Sequence, residues 1–205
     1  MNQKTQGRQI LCLALLLLGP AICPCVFAAT TPEDSGMSSN ELLRKAYEKI
    51  CTGSFDEAMP TLCQVVRTDR NSPTARRYLA FVLLQGGHAR EALSQLDALS
   101  KIQPEGYTFD LLLQGVANDM VGEHEKALTF FQQAMAREPQ SDYYRIKAVD
   151  ELVTLQKYDE AEKLATEGYN ASKEAKITAV YHQRIKKIRN AFRLTGRARA
   201  PEASK

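Results

Sequence analysis

Chemistry-bearing residues are scarce in this 205-residue chain: it has three histidines and no tryptophan. His88, His124 and His182 stand far apart. A zinc-peptidase helix needs His-Glu-x-x-His, which sets two imidazoles one turn apart on one face. The stretch 122–139, GEHEKALTFFQQAMAREP, offers His124 and Glu125 and then Lys126, Ala127 and Leu128, so that reading fails. His124 reads instead as a polar residue in the first turn of a helix. The chain also lacks a nucleophile elbow, a phosphate-binding glycine loop, a metal-ligand cluster and a carboxylate pair with a catalytic role. No catalytic, metal or cofactor residue is assigned, and the expectation is a protein that is not an enzyme.

Acidic residues are missing before Glu33, and only Cys51 and Cys63 lie beyond residue 28. Lys4 and Arg8 precede the apolar run ILCLALLLLGPAICPCVFA, and Val26 and Ala28 occupy the −3 and −1 places of a cut after Ala28. This is the anatomy of a secretory signal peptide over 1–28, followed by a polar spacer over 29–38. The expected location is the periplasm or the extracellular space. The alternative is an uncleaved membrane anchor, against which Gly19, Pro20 and Pro24 interrupt the run. Export permits a disulfide between Cys51 and Cys63. The helical rise puts them at different heights, so two thiols buried as small hydrophobes are expected instead.

What the chain does contain is a period. Residues 53–70, 87–104, 122–139 and 156–173 align on a small residue after a charged pair. The anchors are Ala58, Ala92, Ala127 and Ala161, at intervals of 34, 35 and 34. Five residues before the anchor stand Gly53, Gly87 and Gly122, which suit a tight turn at positive φ; Gln156 takes the fourth place. Leu62, Leu96, Phe131 and Ala165 follow the anchor by four, and Val65, Leu99, Ala134 and Gly168 by seven, on one helix face. Pro104 and Pro139 stop the second helix of their units. Twelve residues before the anchor, Ala46, Ala80, Gly115 and Val149 let the preceding helix approach closely.

Helix, glycine turn, helix, stop at this period closely resembles the tetratricopeptide repeat (TPR). The resemblance covers residues 39–173, with units at about 39–72, 73–106, 107–141 and 142–173. It implies an all-α fold, a right-handed superhelical stack of antiparallel helix pairs, with neighbours burying one continuous core. The apolar stripe Ile177, Tyr181, Ile185, Ile188 and Phe192 predicts a basic amphipathic capping helix over 174–195, before a tail at 196–205.

The resemblance also implies a groove lined by the first helix of each unit. Helical phase puts Leu43, Tyr47, Arg77, Tyr78, Phe81 and Gln85 on its wall. From later units come Leu112, Leu113, Val116, Asp119, Met120, Lys147, Asp150 and Thr154. Asp119 and Asp150 are expected to flank the Tyr78–Phe81 patch, which would favour a partner with apolar anchors and a basic residue. Chaperone-adaptor members of the family hold a peptide carboxylate with Lys, Asn and Arg. The matching places here carry Leu43, Tyr47, Leu113, Tyr143 and Lys147, so no such clamp is expected. The implied function is an exported scaffold that binds another protein. The alternatives are an accessory subunit of an envelope enzyme or of a secretion or assembly complex, and a membrane-anchored chaperone.

Charge is divided along the chain. Residues 29–172 hold 15 basic and 22 acidic residues, and residues 173–205 hold 10 basic and 2 acidic. A basic end can meet an anionic surface, or it can offset the acidic body beside it. No recognition motif points to nucleic acid.

Overall fold

The computed structural model describes residues 36–194. The expected leader over 1–28, the spacer as far as residue 35 and the tail over 196–205 lie outside them. The described residues form nine helices and no strand. They are α1 Ser39–Cys51, α2 Phe55–Thr68, α3 Pro73–Gln85, α4 Ala89–Ile102, α5 Thr108–Met120, α6 His124–Arg137, α7 Asp142–Thr154, α8 Tyr158–Ala171 and α9 Ala175–Leu194. Each packs on the next in chain order; α1 also meets α3, α3 meets α5, and α7 meets α9. No described helix is long and apolar enough to cross a membrane.

Local chemistry starts and stops these helices. Ser38 caps α1 reciprocally with Glu41, whose carboxylate accepts the Ser38 N–H at 2.7 Å. At the start of α3, Ser72 accepts the Ala75 N–H at 3.3 Å, and Pro73 fills the first turn, where an N–H has no helical partner. Inside each pair, the turn residue has positive φ: Gly53 at 75°, Gly87 at 81°, Gly122 at 85° and Gln156 at 59°. The next residues, Ser54, His88, Glu123 and Lys157, all lie near ψ 60°. Their N–H groups donate to Lys49, Leu83, Asn118 and Leu152 carbonyls at 2.8–2.9 Å. The fourth turn therefore has the same shape as the others, with a side chain held where glycine is at ease.

Second helices end on an extended residue. Gln103 (φ −135°, ψ 81°) and Glu138 (φ −129°, ψ 74°) precede Pro104 and Pro139, whose rings disfavour helical geometry one residue earlier. Asp69 takes a similar shape (φ −123°, ψ 88°) without a following proline. There the Asp69 side chain accepts the Asn71 N–H at 3.1 Å, a local turn that does the proline's work.

Packing follows the repeat register. Ala58, Ala92, Ala127 and Ala161 are fully buried, as are Ala46, Ala80 and Val149 on the facing helices. Large and small residues interlock. The Phe131 ring lies over Gly115, and the Tyr181 ring of α9 lies over Gly168, so close that a Cβ at either glycine would overlap the ring. One apolar cluster runs from Ala46 to Ala117, a second from Ala127 to Ile188, and Val116 touches both. Cys63 is buried, but Cys51 is an exposed free thiol, which corrects the expectation of two buried thiols. Cys51 ends α1, where the chain turns away from the core.

Candidate functional site

The first-helix face carries a run of aromatic rings. Tyr47 of α1 stands 5.7 Å from Tyr78 of α3, and Phe81 of α3 stands 6.2 Å from Phe109 of α5. Tyr47 is 50% exposed and Phe109 38% exposed, while Tyr78 and Phe81 are half-buried beside the first apolar cluster. Phe81 also meets Phe55 of α2 edge-on at 5.8 Å, so part of its surface belongs to the packing between repeats. Further along, exposed Tyr143 lies 6.0 Å beneath the Lys147 ammonium on α7.

Phe109 is absent from the sequence-derived wall. Its repeat position, eighteen before the anchor, is also that of Tyr143, and that recurrence was the available signal.

Several expected wall residues lie elsewhere. Arg77 is buried between repeats. Its guanidinium forks onto Asp110 of α5, with Nη2–Oδ2 at 2.9 Å, donates to Gln103 at 3.1 Å and sits 4.5 Å over the Tyr107 ring. The Asp110 carboxylate also accepts the Tyr107 N–H at 2.9 Å. A buried guanidinium in this setting is structural glue, not an open binding group. Asp150 accepts a fork from Arg184 of α9 at 2.8 and 2.7 Å, so it holds the capping helix instead of flanking Tyr78. Val116 packs in the seam between clusters, and Leu113 is buried. Met120 is 45% exposed but borders an open cleft of about 690 Å³ with Gly87, His88, Glu91 and Gln95, at the far end of the helices from Phe109. Gln85 and Thr154 are exposed at helix ends.

Asp119 joins a second polar group. His124 Nδ1 lies 3.5 Å from Asp119 Oδ1 and 3.0 Å from Glu151 Oε2. Glu151 is buried, and burial pushes its carboxyl above the usual range; the His124 hydrogen bond opposes this and the Asp119 charge adds to it. His124 is thus more than the bland first-turn residue its spacing suggests. No local pattern marks Glu151, because His124 stands 27 residues before it.

On α9, Ile177, Tyr181, Ile185, Ile188 and Phe192 turn toward α7 and α8. The basic face is partly engaged within the molecule: Arg184 holds Asp150, and Arg189 donates to Glu162 at 2.6 Å. Lys186, Lys187 and Arg193 are exposed.

No family model matches this sequence, and no curated protein matches it. Solved structures do match its fold. MamA from residue 41 onward, from Desulfovibrio magneticus, is 21% identical at TM-score 0.60 over 63% of this chain and 73% of its own. A tetratricopeptide repeat protein from Parabacteroides merdae is 19% identical at TM-score 0.64, over 77% of this chain and 62% of its own. Yeast Tom70 is 15% identical at TM-score 0.61, over 78% of this chain and 35% of its own. The fold is that of tetratricopeptide repeat proteins, an all-α solenoid of about four helix pairs.

Proposed function

We propose that this tetratricopeptide-repeat solenoid is an interaction scaffold without catalysis, which binds a partner protein on the first-helix face. The supporting observation is the aromatic run from Tyr47 through Tyr78 and Phe81 to Phe109, which crosses three helices and leaves its two ends exposed. Rings of this kind give large contact area at little cost in side-chain entropy. A short helix or extended segment with two or three apolar anchors fits such a surface. With Asp119 and Asp150 engaged inside the molecule, the face itself gives no reason for a basic residue in the partner.

The proposed setting is outside the cytosol, supported by the Lys4/Arg8 start, the apolar run and the Val26-x-Ala28 cut. The intact mass of native protein should match a chain starting at Ala29; retained Met1 would refute cleavage.

A photo-crosslinking residue at Tyr47 or Phe109 of the full chain, in the cells that make it, tests the surface. Both positions should trap the same protein, whereas Tyr169 of α8 should not. Adducts at Tyr169 alone would place binding on the other side of the stack.

A further inference from the structure

The repeat register allows the junctions between repeats to be compared position by position. At each junction, the residues eight and three before one anchor lie near the residue ten before the next anchor. The first junction carries Ile50, Phe55 and Val82 there, and the second carries Leu84, Ala89 and Ala117. All six belong to one apolar cluster. The third junction carries Asp119, His124 and Glu151 at the same three positions. A carboxylate, an imidazole and a second carboxylate thus replace three apolar side chains.

Their geometry is that of a ligand set. One donor atom from each residue lies within 4.8 Å of the other two, and the pairs through His124 Nδ1 stand at 3.0 and 3.5 Å. Donors about 2.0–2.2 Å from a single ion are separated by about 3.0–3.5 Å. The site is built on one buried side. The Glu151 side chain is 4% exposed, and its ion-pair partner among the described residues is His124. Asp119 and His124, at 40% and 30%, open to solvent, which gives an ion a way in and leaves room for water as a further ligand. Asp119 also sits in the last turn of α5, where the helix dipole favours a cation.

We propose that Asp119, His124 and Glu151 bind one divalent transition-metal ion, with zinc the ion best suited to their nitrogen and oxygen donors, and that the ion clamps the third repeat to the fourth. Two carboxyl groups and an imidazole offer a +2 ion three donor atoms and compensating negative charge. Glu151 is buried close to the Asp119 carboxylate, and a cation between them would relieve their repulsion.

The test uses the full chain with Cys12, Cys23, Cys25 and Cys51 each changed to Ser, so that these thiols are no ligands, stripped of metal and titrated with zinc chloride. One zinc should bind per chain, and the melting temperature should rise with zinc but not with magnesium. Asp119→Asn and Glu151→Gln should each weaken zinc binding by about tenfold or more. His88→Gln and His182→Gln should leave it unchanged. Cobalt should give a visible absorption band that Asp119→Asn shifts or weakens. Asp119 is half exposed, so its variant remains informative even if Glu151→Gln fails to fold. Absence of one-to-one zinc binding, or an affinity that Asp119→Asn leaves unchanged, overturns the assignment.

Discussion

Asp110 and Glu151 are both buried carboxylates on first helices, each facing the preceding repeat. Their surroundings differ. Asp110 meets the Arg77 guanidinium, so the second junction contains its own cation, held by a fork and by the Tyr107 ring. Glu151 meets one imidazole that it shares with Asp119, so the third junction is acidic. The same helix-pair geometry therefore tolerates two kinds of buried acid: one closed within the chain, and one open to a cation from outside. The repeat supplies the shape, and the residues at three junction positions decide how the joint is held.

The comparison breaks most severely at Arg77. Arg77→Met leaves Asp110 buried with no cation and should destabilise the fold by about 3–5 kcal/mol. Chemical denaturation reads this directly. Arg77→Met together with Asp110→Leu should recover most of that loss, because the penalty lies in the stranded charge. A single variant no less stable than the wild type would mean that the pair is not structural.

The third junction should respond in the opposite sense. Asp119→Leu, His124→Ala and Glu151→Ala together copy the second junction's Leu84, Ala89 and Ala117. In metal-free buffer this triple variant should be as stable as the wild type or up to about 2 kcal/mol more stable, since apolar packing commonly replaces buried charge without loss. Saturating zinc should narrow the gap from the wild-type side. A triple variant that unfolds would show that the polar contacts themselves hold the joint.

The contrast between junctions also marks what the sequence discloses. Local rules are legible: a glycine five before three of the four anchors, prolines after α4 and α6, and an alanine at each anchor act over a few residues. Gln156 was the one turn without its signal, and the neighbouring helices impose the turn regardless. Helical phase puts Arg77 and Asp150 on the first-helix face but says nothing of partners 33 and 34 residues away, so both looked open while they are paired. A local motif says nothing of the His124 contact, because its partner Glu151 lies 27 residues on. Reading the repeat columns downward, where Asp119, His124 and Glu151 break apolar columns, carries that information without a structure.

The capping helix gives a smaller effect with its own pH signature. Tyr181 lies fully buried over Gly168, and its hydroxyl donates to the Asp142 carboxylate at 2.8 Å. Burial pushes its pKa up to about 12, above the usual 10. A raised folded pKa means that the contribution is complete below pH 10 and is lost as pH rises through about 12. Tyr181→Phe should cost about 1.5 kcal/mol at pH 7, the worth of a hydrogen bond to a charged group. Denaturation midpoints from pH 8 upward should fall more steeply for the wild type than for the variant once pH passes 10. Parallel curves would mean that Tyr181 does not govern the alkaline limit.

The smallest effect separates turn shape from turn chemistry. Gly53, Gly87, Gly122 and Gln156 occupy one position in four similar turns, and glutamine alone must hold φ 59° with a side chain. A non-glycine residue in the left-handed region costs about 1–2 kcal/mol. Glycine gives back about 0.5–1 kcal/mol through the greater freedom of its unfolded chain. Gln156 is exposed, so no packing is lost on truncation. Gln156→Gly should therefore stabilise the protein by about 0.5 kcal/mol. The reciprocal change, Gly122→Gln, should destabilise by a similar amount, because no atom lies within 4 Å of the place where a Cβ would stand and only the backbone conformation is at stake. Because the turn at 122 joins Asp119 to His124, a loss at Gly122 much larger than the gain at Gln156 would show that this turn is coupled to the acidic junction. Equal and opposite shifts would show that the turns are independent of the joints they connect.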